Sequence, residues 1–157
     1  MKAPLMHLMV ASVWTFLHGN TTLGGFFIGG IASFILLWVF QKVLKCEDYV
    51  RRVFAAITFA LHFLRDVLIS NLRMCRLSLT PGIGEVEGSF TFYNVSDLTK
   101  VESILLAHFI NLTPGTTVAD LTEEGNFILH TFPSVDEATL EKHINQTLRR
   151  RLLAVTR

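Results

Sequence analysis

Residues 3–41 read APLMHLMVASVWTFLHGNTTLGGFFIGGIASFILLWVFQ, without one Asp, Glu, Lys or Arg. Such a run is too long for one ordinary core helix. A single polar interruption, His18-Gly19-Asn20-Thr21-Thr22, divides it into two apolar pieces. The second has the length that crosses a bilayer, roughly 17–25 residues. Inside lipid every backbone N–H and C=O needs an internal partner, so both pieces are predicted to be helices, over residues 4–17 and 23–44. The link between them allows only a tight antiparallel turn. The first piece has the length of a signal-peptide core behind Lys2. No A-x-A-like cleavage site follows it, however, and a second span starts five residues later, so a retained hairpin is expected.

Charge divides the rest of the chain. Residues 1–79 carry eight Lys/Arg against three Asp/Glu, whereas residues 80–157 carry six against ten. A basic membrane half is thus followed by a small, mildly acidic α+β domain. Lys2, Lys42, Lys45, Arg51 and Arg52 flank the hairpin and its loop has no Lys or Arg, which places both hairpin ends in the cytoplasm. Gly25, Gly29 and Ser33 recur every four residues on one face of the second helix. This small-xxx-small stripe suits either the first helix of the same chain or a partner subunit.

Residues 46–80 form a third membrane-associated segment. Val53, Ile57, Leu61, Leu64, Leu68 and Leu72 make one stripe of a helix; Thr58, His62, Arg65, Asp66, Arg73 and Arg76 gather opposite. The pattern favours an interfacial or partly inserted amphipathic helix over a third full span. His62 and Asp66, at i and i+4, are within reach of each other as a polar pair.

Pro81-Gly82-Ile83-Gly84 marks the boundary to a domain over residues 85–157. Strands are predicted over residues 86–93, 117–121 and 127–132, with Glu124-Gly125-Asn126 as the hairpin turn. One helix, capped by Ser96 or Asp97, runs to residue 110 and buries Leu98, Val101, Leu105 and Phe109, with His108 at the edge of that face. Ser134 and Glu137 form a capping box for the final helix, which runs to residue 153 on a Leu140, Ile144, Leu148, Leu152 stripe. The order is βαββα, a three-stranded sheet with helices on one face.

Chemistry-bearing patterns are sparse. A transporter core places protonatable groups inside the membrane; the hairpin offers only His7, expected to be packed or interfacial, and His18 in its turn. Cys46 and Cys75 read as free thiols. No metal-spaced His/Cys/Asp/Glu set, phosphate loop or nucleophile motif is present, so no catalytic residue, metal or cofactor is expected. No basic stripe with interleaved aromatics points to nucleic acid.

Residues 105–129, LLAHFINLTPGTTVADLTEEGNFIL, with Leu112-Thr113-Pro114-Gly115-Thr116 at their centre, resemble the signature of the E subunits of Mrp-type (Mnh, Pha) multisubunit cation/proton antiporters. Residues 66–71, DVLISN, are similar to that family's E-L-x-x-S-N segment, with Asp66 in place of the commoner Glu. The resemblance implies an accessory subunit in a prokaryotic plasma membrane, with other membrane subunits and the bilayer as partners. Related subunits also occur in hydrogenase-like membrane assemblies. A membrane-tethered module sensing a small ligand is the remaining alternative. Independently of the family, Pro114 stops a helix and Gly115 permits a reversal, making residues 112–116 either a connector or a docking loop.

Overall fold

A computed structural model describes residues 2–19, 22–80 and 86–157, with only the backbone at Lys2. The predicted boundary Pro81-Gly82-Ile83-Gly84 and part of the hairpin link, Asn20 and Thr21, lie outside the described residues. Two compact units form, Met1–Phe54 and Ala55–Arg157.

In the first unit, α1 (Lys2–Leu17) and α2 (Leu23–Val39) form the hairpin. Thr22 starts α2: its Oγ1 accepts the Gly25 N–H at 3.2 Å, satisfying one of the helix's orphan donors. Gly25, Gly29, Ser33 and Leu37 are the buried residues of α2. A Cβ on Gly29 would stand 2.9 Å from the Ala11 carbonyl and 3.0 Å from Thr15 Oγ1, so the absence of a side chain lets the two backbones approach. The predicted helix over residues 23–44 is interrupted at Phe40. A one-turn α3 (Gln41–Leu44) follows and ends at Lys45 in the left-handed conformation, φ +50°. Leu37, Cys46 and Val50 form a small buried cluster beneath the start of α4 (Glu47–Ser78).

The second unit comprises the remainder of α4, β1 (Ser89–Asn94), α5 (Lys100–Asn111), β2 (Thr116–Leu121), β3 (Asn126–Thr131), α6 (Glu137–Ile144) and α7 (Arg150–Thr156). A π-helical turn, Asn145–Arg149, joins α6 to α7. The strand order is β1-β3-β2, antiparallel throughout. Tyr93, Phe127 and Leu129 point to the buried side of the sheet, against Leu106, Ile110, Leu140, Ile144, Leu148 and Leu152. Phe90 and Phe92 occupy the opposite, exposed face. The predicted stripe at four-residue spacing would drift about 40° per step on an ideal α-helix; the wider π turn takes up part of that drift and keeps Leu148 and Leu152 inward.

Several helix details differ from the sequence expectation. Thr99, not Ser96 or Asp97, caps α5, in a full capping box with Glu102. The buried face of α5 is Glu102, Leu106 and Ile110, displaced by one residue from the predicted Val101 and Leu105. Glu102 is buried because its charge is matched, which apolar periodicity does not reveal. His108, expected at the core edge, is exposed and bonds the Ile104 carbonyl at 2.7 Å. Asp136 caps α6 by accepting the Thr139 N–H, so the predicted Ser134–Glu137 box does not form. The last helical run continues to Thr156.

Within this unit α4 presents two unlike faces. Phe59 is buried and meets Phe109 edge-on at 4.7 Å, with Phe63 5.0 Å from the same ring. On the opposite side Ile57, Leu61, Leu64, Leu68 and Leu72 are exposed. At 32 residues, α4 is long and apolar enough to cross a membrane.

Candidate functional site

The two sequence segments that carry the family resemblance meet at one cavity of about 250 Å³. Asp66, Ser70, Arg73 and Met74 of α4 form one wall, and Thr113, Pro114, Gly115 and Thr116 form another. Leu140, His143, Ile144 and Thr147 close it from the final helical run, and Ile110, Phe132 and Leu148 also line it. Leu112 is exposed just outside.

Local chemistry fixes the loop. Thr113 donates its hydroxyl to the Phe109 carbonyl at 3.1 Å, and its N–H meets the Ile110 carbonyl at 2.9 Å. Both bonds satisfy carbonyls left open at the end of α5. Pro114 cannot extend that pattern. Gly115 then adopts φ +97°, and its carbonyl accepts the Phe132 N–H at 2.9 Å. A Cβ there would lie 2.8 Å from the Phe132 carbonyl and 3.6 Å from Met74 Sδ. Residues 112–116 are therefore a tight connector, of which 113–116 also form a cavity wall.

The expected His62–Asp66 pair is absent. His62 Nδ1 lies 2.8 Å from the Thr58 carbonyl, one turn back, and Asp66 faces Arg151 of α7 at 3.7 Å. Helical side chains lean toward the N-terminus, which brings the His62 ring over its own preceding turn. Asp66 meanwhile finds a guanidinium that only the tertiary fold supplies.

Two further polar networks tie the unit together. Glu102 accepts Thr99 N–H and Oγ1 at 2.9 Å each, the Thr156 hydroxyl at 2.8 Å, and Arg157 through two nitrogens at 3.1 Å. Arg157, then the Thr99 N–H and Thr156, hold its carboxyl far below the usual carboxylate range. Arg149 donates to Asp97, to Tyr93 Oη at 3.2 Å and to the Asn94 carbonyl at 3.1 Å. Its hydrogen bond lowers the Asp97 pKa, while burial is the largest cause raising that of Tyr93. The Thr99-x-x-Glu102 spacing was the available sequence sign of the first network. Arg149 gave no sign beyond its charge.

In the hairpin, the Gly25, Gly29 and Ser33 stripe faces α1 of the same chain at Gly29. His7 is held at both ring nitrogens: Nε2 is 2.9 Å from the Gly30 carbonyl, so it carries the proton, and Nδ1 is 2.6 Å from Tyr49 Oη. Among the described residues, no group of three or more His, Cys, Asp or Glu is placed to hold a metal ion.

An apolar hairpin, a long two-faced helix and a small antiparallel α+β unit together define a small membrane protein. The chain belongs to the Na+/H+ ion antiporter subunit (MNHE) family, whose model matches residues 7–155. This bears out the resemblance read from residues 66–71 and 105–129. The chain is 26% identical over 154 residues to the E subunit of the Na(+)/H(+) antiporter of Alkalihalophilus pseudofirmus, covering 98% of this chain and 97% of that protein. It is also similar to a chain of the membrane-bound sulfane sulfur reductase, an archaeal respiratory membrane complex: 21% identity, TM-score 0.59, 96% of each chain covered. A chain of the Mrp complex from Dietzia sp. DQ12-45-1b is 20% identical, with TM-score 0.49 over 65% of this chain and 96% of that one.

Proposed function

We propose that this chain is an accessory, non-conducting subunit of a multisubunit Na+/H+ antiporter in a prokaryotic plasma membrane, acting in assembly or stability and not as an enzyme. The family match over nearly the whole chain supports the host complex. The observation that carries the non-conducting role is the pairing of His7. Among the described side chains of the two hairpin helices it is the one titratable group, and both its ring nitrogens are engaged, by Tyr49 and the Gly30 carbonyl. A proton carrier must exchange its proton with water or a second carrier, and the Nε2 proton is held by a backbone carbonyl that cannot pass it on.

The positive residues that flank the hairpin favour a cytoplasmic position for the chain's N-terminus and the α+β unit. Residues 59–74 of α4 carry that unit on one face and a bare leucine stripe on the other. A helix so loaded suits the membrane surface better than a lipid-surrounded third span. Gly25, Gly29 and Ser33 serve first to seat α1, and the remaining exposed hairpin surface meets lipid and partner subunits.

A second reading puts the same subunit in a respiratory or hydrogenase-like assembly. The fold shared with the sulfane sulfur reductase chain motivates it, while the relatives' names favour the antiporter.

Proteoliposomes test the non-conducting role. With the purified chain alone, a sodium pulse should leave lumenal pH unchanged, whereas the whole complex should shift it. Sodium-driven proton movement by the chain alone would end this reading.

A further inference from the structure

We propose that the cavity between α4, the Thr113–Thr116 loop and α6 binds a small amphipathic anion, with its apolar body on the floor and its carboxylate or phosphate at Arg73. The floor is hydrophobic: Ile110, Leu140 and Leu148 belong to the unit's buried core yet also line the cavity. Polar side chains line it as well. Ser70 and Arg73 stand at i and i+3 on α4, so their side chains are neighbours, and His143 lines the same space from α6.

Charge selects the sign of the ligand. The acid in the lining, Asp66, already faces Arg151 at 3.7 Å. Arg73 has no ion pair or hydrogen bond among the described residues, so none of them neutralises its guanidinium. A guanidinium presents a planar fork of donors that matches the oxygens of a carboxylate or phosphate. An apolar floor with a few convergent polar groups is the usual construction of a small-ligand site, and this volume lies just below the common range of roughly 300–1,000 Å³. The occupant is therefore short, or only part of a longer amphiphile enters. A free amphiphilic anion and an anionic phospholipid share this chemistry.

Met74 lines the cavity, whereas Met6 and Met9 lie in α1, which makes methyl NMR a direct readout. The full chain, labelled with methyl-13C methionine in dodecyl maltoside, is titrated with octyl phosphate and, separately, with octanol. A saturable shift of Met74 is expected with octyl phosphate, with an apparent affinity about tenfold weaker in Arg73→Gln, as loss of a charge-assisted bond implies. In nanodiscs, a Met74 shift already present with phosphatidylglycerol and absent with phosphatidylcholine identifies the bilayer as the source. A shift that appears only on adding octyl phosphate identifies a free anion. The proposal is overturned if Met74 stays unmoved in every arm. It is equally overturned if Met74 moves only in step with Met6 and Met9, or if octanol or Arg73→Gln gives the same titration.

Discussion

Arg157 grips Glu102 from 55 residues away, Nε 3.1 Å from Oε1 and Nη2 3.1 Å from Oε2. The pair closes the end of α7 onto the first turn of α5, where Thr99 and Glu102 also complete the capping box.

That relationship predicts an acid-dependent stability. The folded carboxyl sits far below its ordinary range, so its contribution is fully present above the unfolded value of about 4.3. It is lost as pH falls from there toward the depressed folded value. Glu102→Gln should lower Tm at pH 7, and the gap to the parent should narrow as pH falls below about 4. Thermal unfolding followed by circular dichroism across that range checks it; a gap independent of pH would remove the charge as the cause.

The phase of α5 gives a second test. Leu106 is 0% exposed and Val101 is 66% exposed. Leu106→Ala should cost about 2–5 kcal/mol, while Val101→Ala should stay within about 0.5 kcal/mol. Denaturant unfolding of the α+β signal would reverse that order if the simple apolar stripe were the buried one.

At Gly115, φ +97° and the Phe132 carbonyl 2.8 Å from an added Cβ make any side chain strained. Gly115→Ala should destabilise by roughly 1–3 kcal/mol and disturb the cavity wall. The Met74 methyl resonance, beside that position, should move even without ligand.

Gly29→Leu should damage the hairpin before it affects any neighbour, because α1 already occupies that space. Overpacking of this kind costs typically about 1–3 kcal/mol. Thermal stability of the isolated full chain in detergent should drop. An unchanged isolated chain with a weakened complex would instead assign Gly29 to a partner interface.

The sequence was most legible where one physical demand dominated. The two apolar pieces of residues 3–41 could only be helical, and Gly25, Gly29 and Ser33 showed by spacing alone that they share a face. The strands were found within a few residues because Phe90 and Phe92 alternate with Thr91 and Tyr93, and the Tyr93 side of that alternation is the buried one. The register of α5 was hidden because a charged residue, Glu102, holds a core position that hydrophobic periodicity assigns to solvent. Its Arg157 partner is too far along the chain to be inferred. Asp66 misled for the same reason: His62 was close in sequence, and Arg151 is close in space. The cavity draws on α4, a loop and the final helix, so no local pattern could outline it.

Membership of a larger assembly is tested most directly by solubilising native membranes gently and weighing the particle that contains this chain. The chain, 17.7 kDa by itself, should be recovered in a much larger stoichiometric complex with antiporter subunits. A stable, partner-free 17.7 kDa monomer recovered from the native membrane would contradict that.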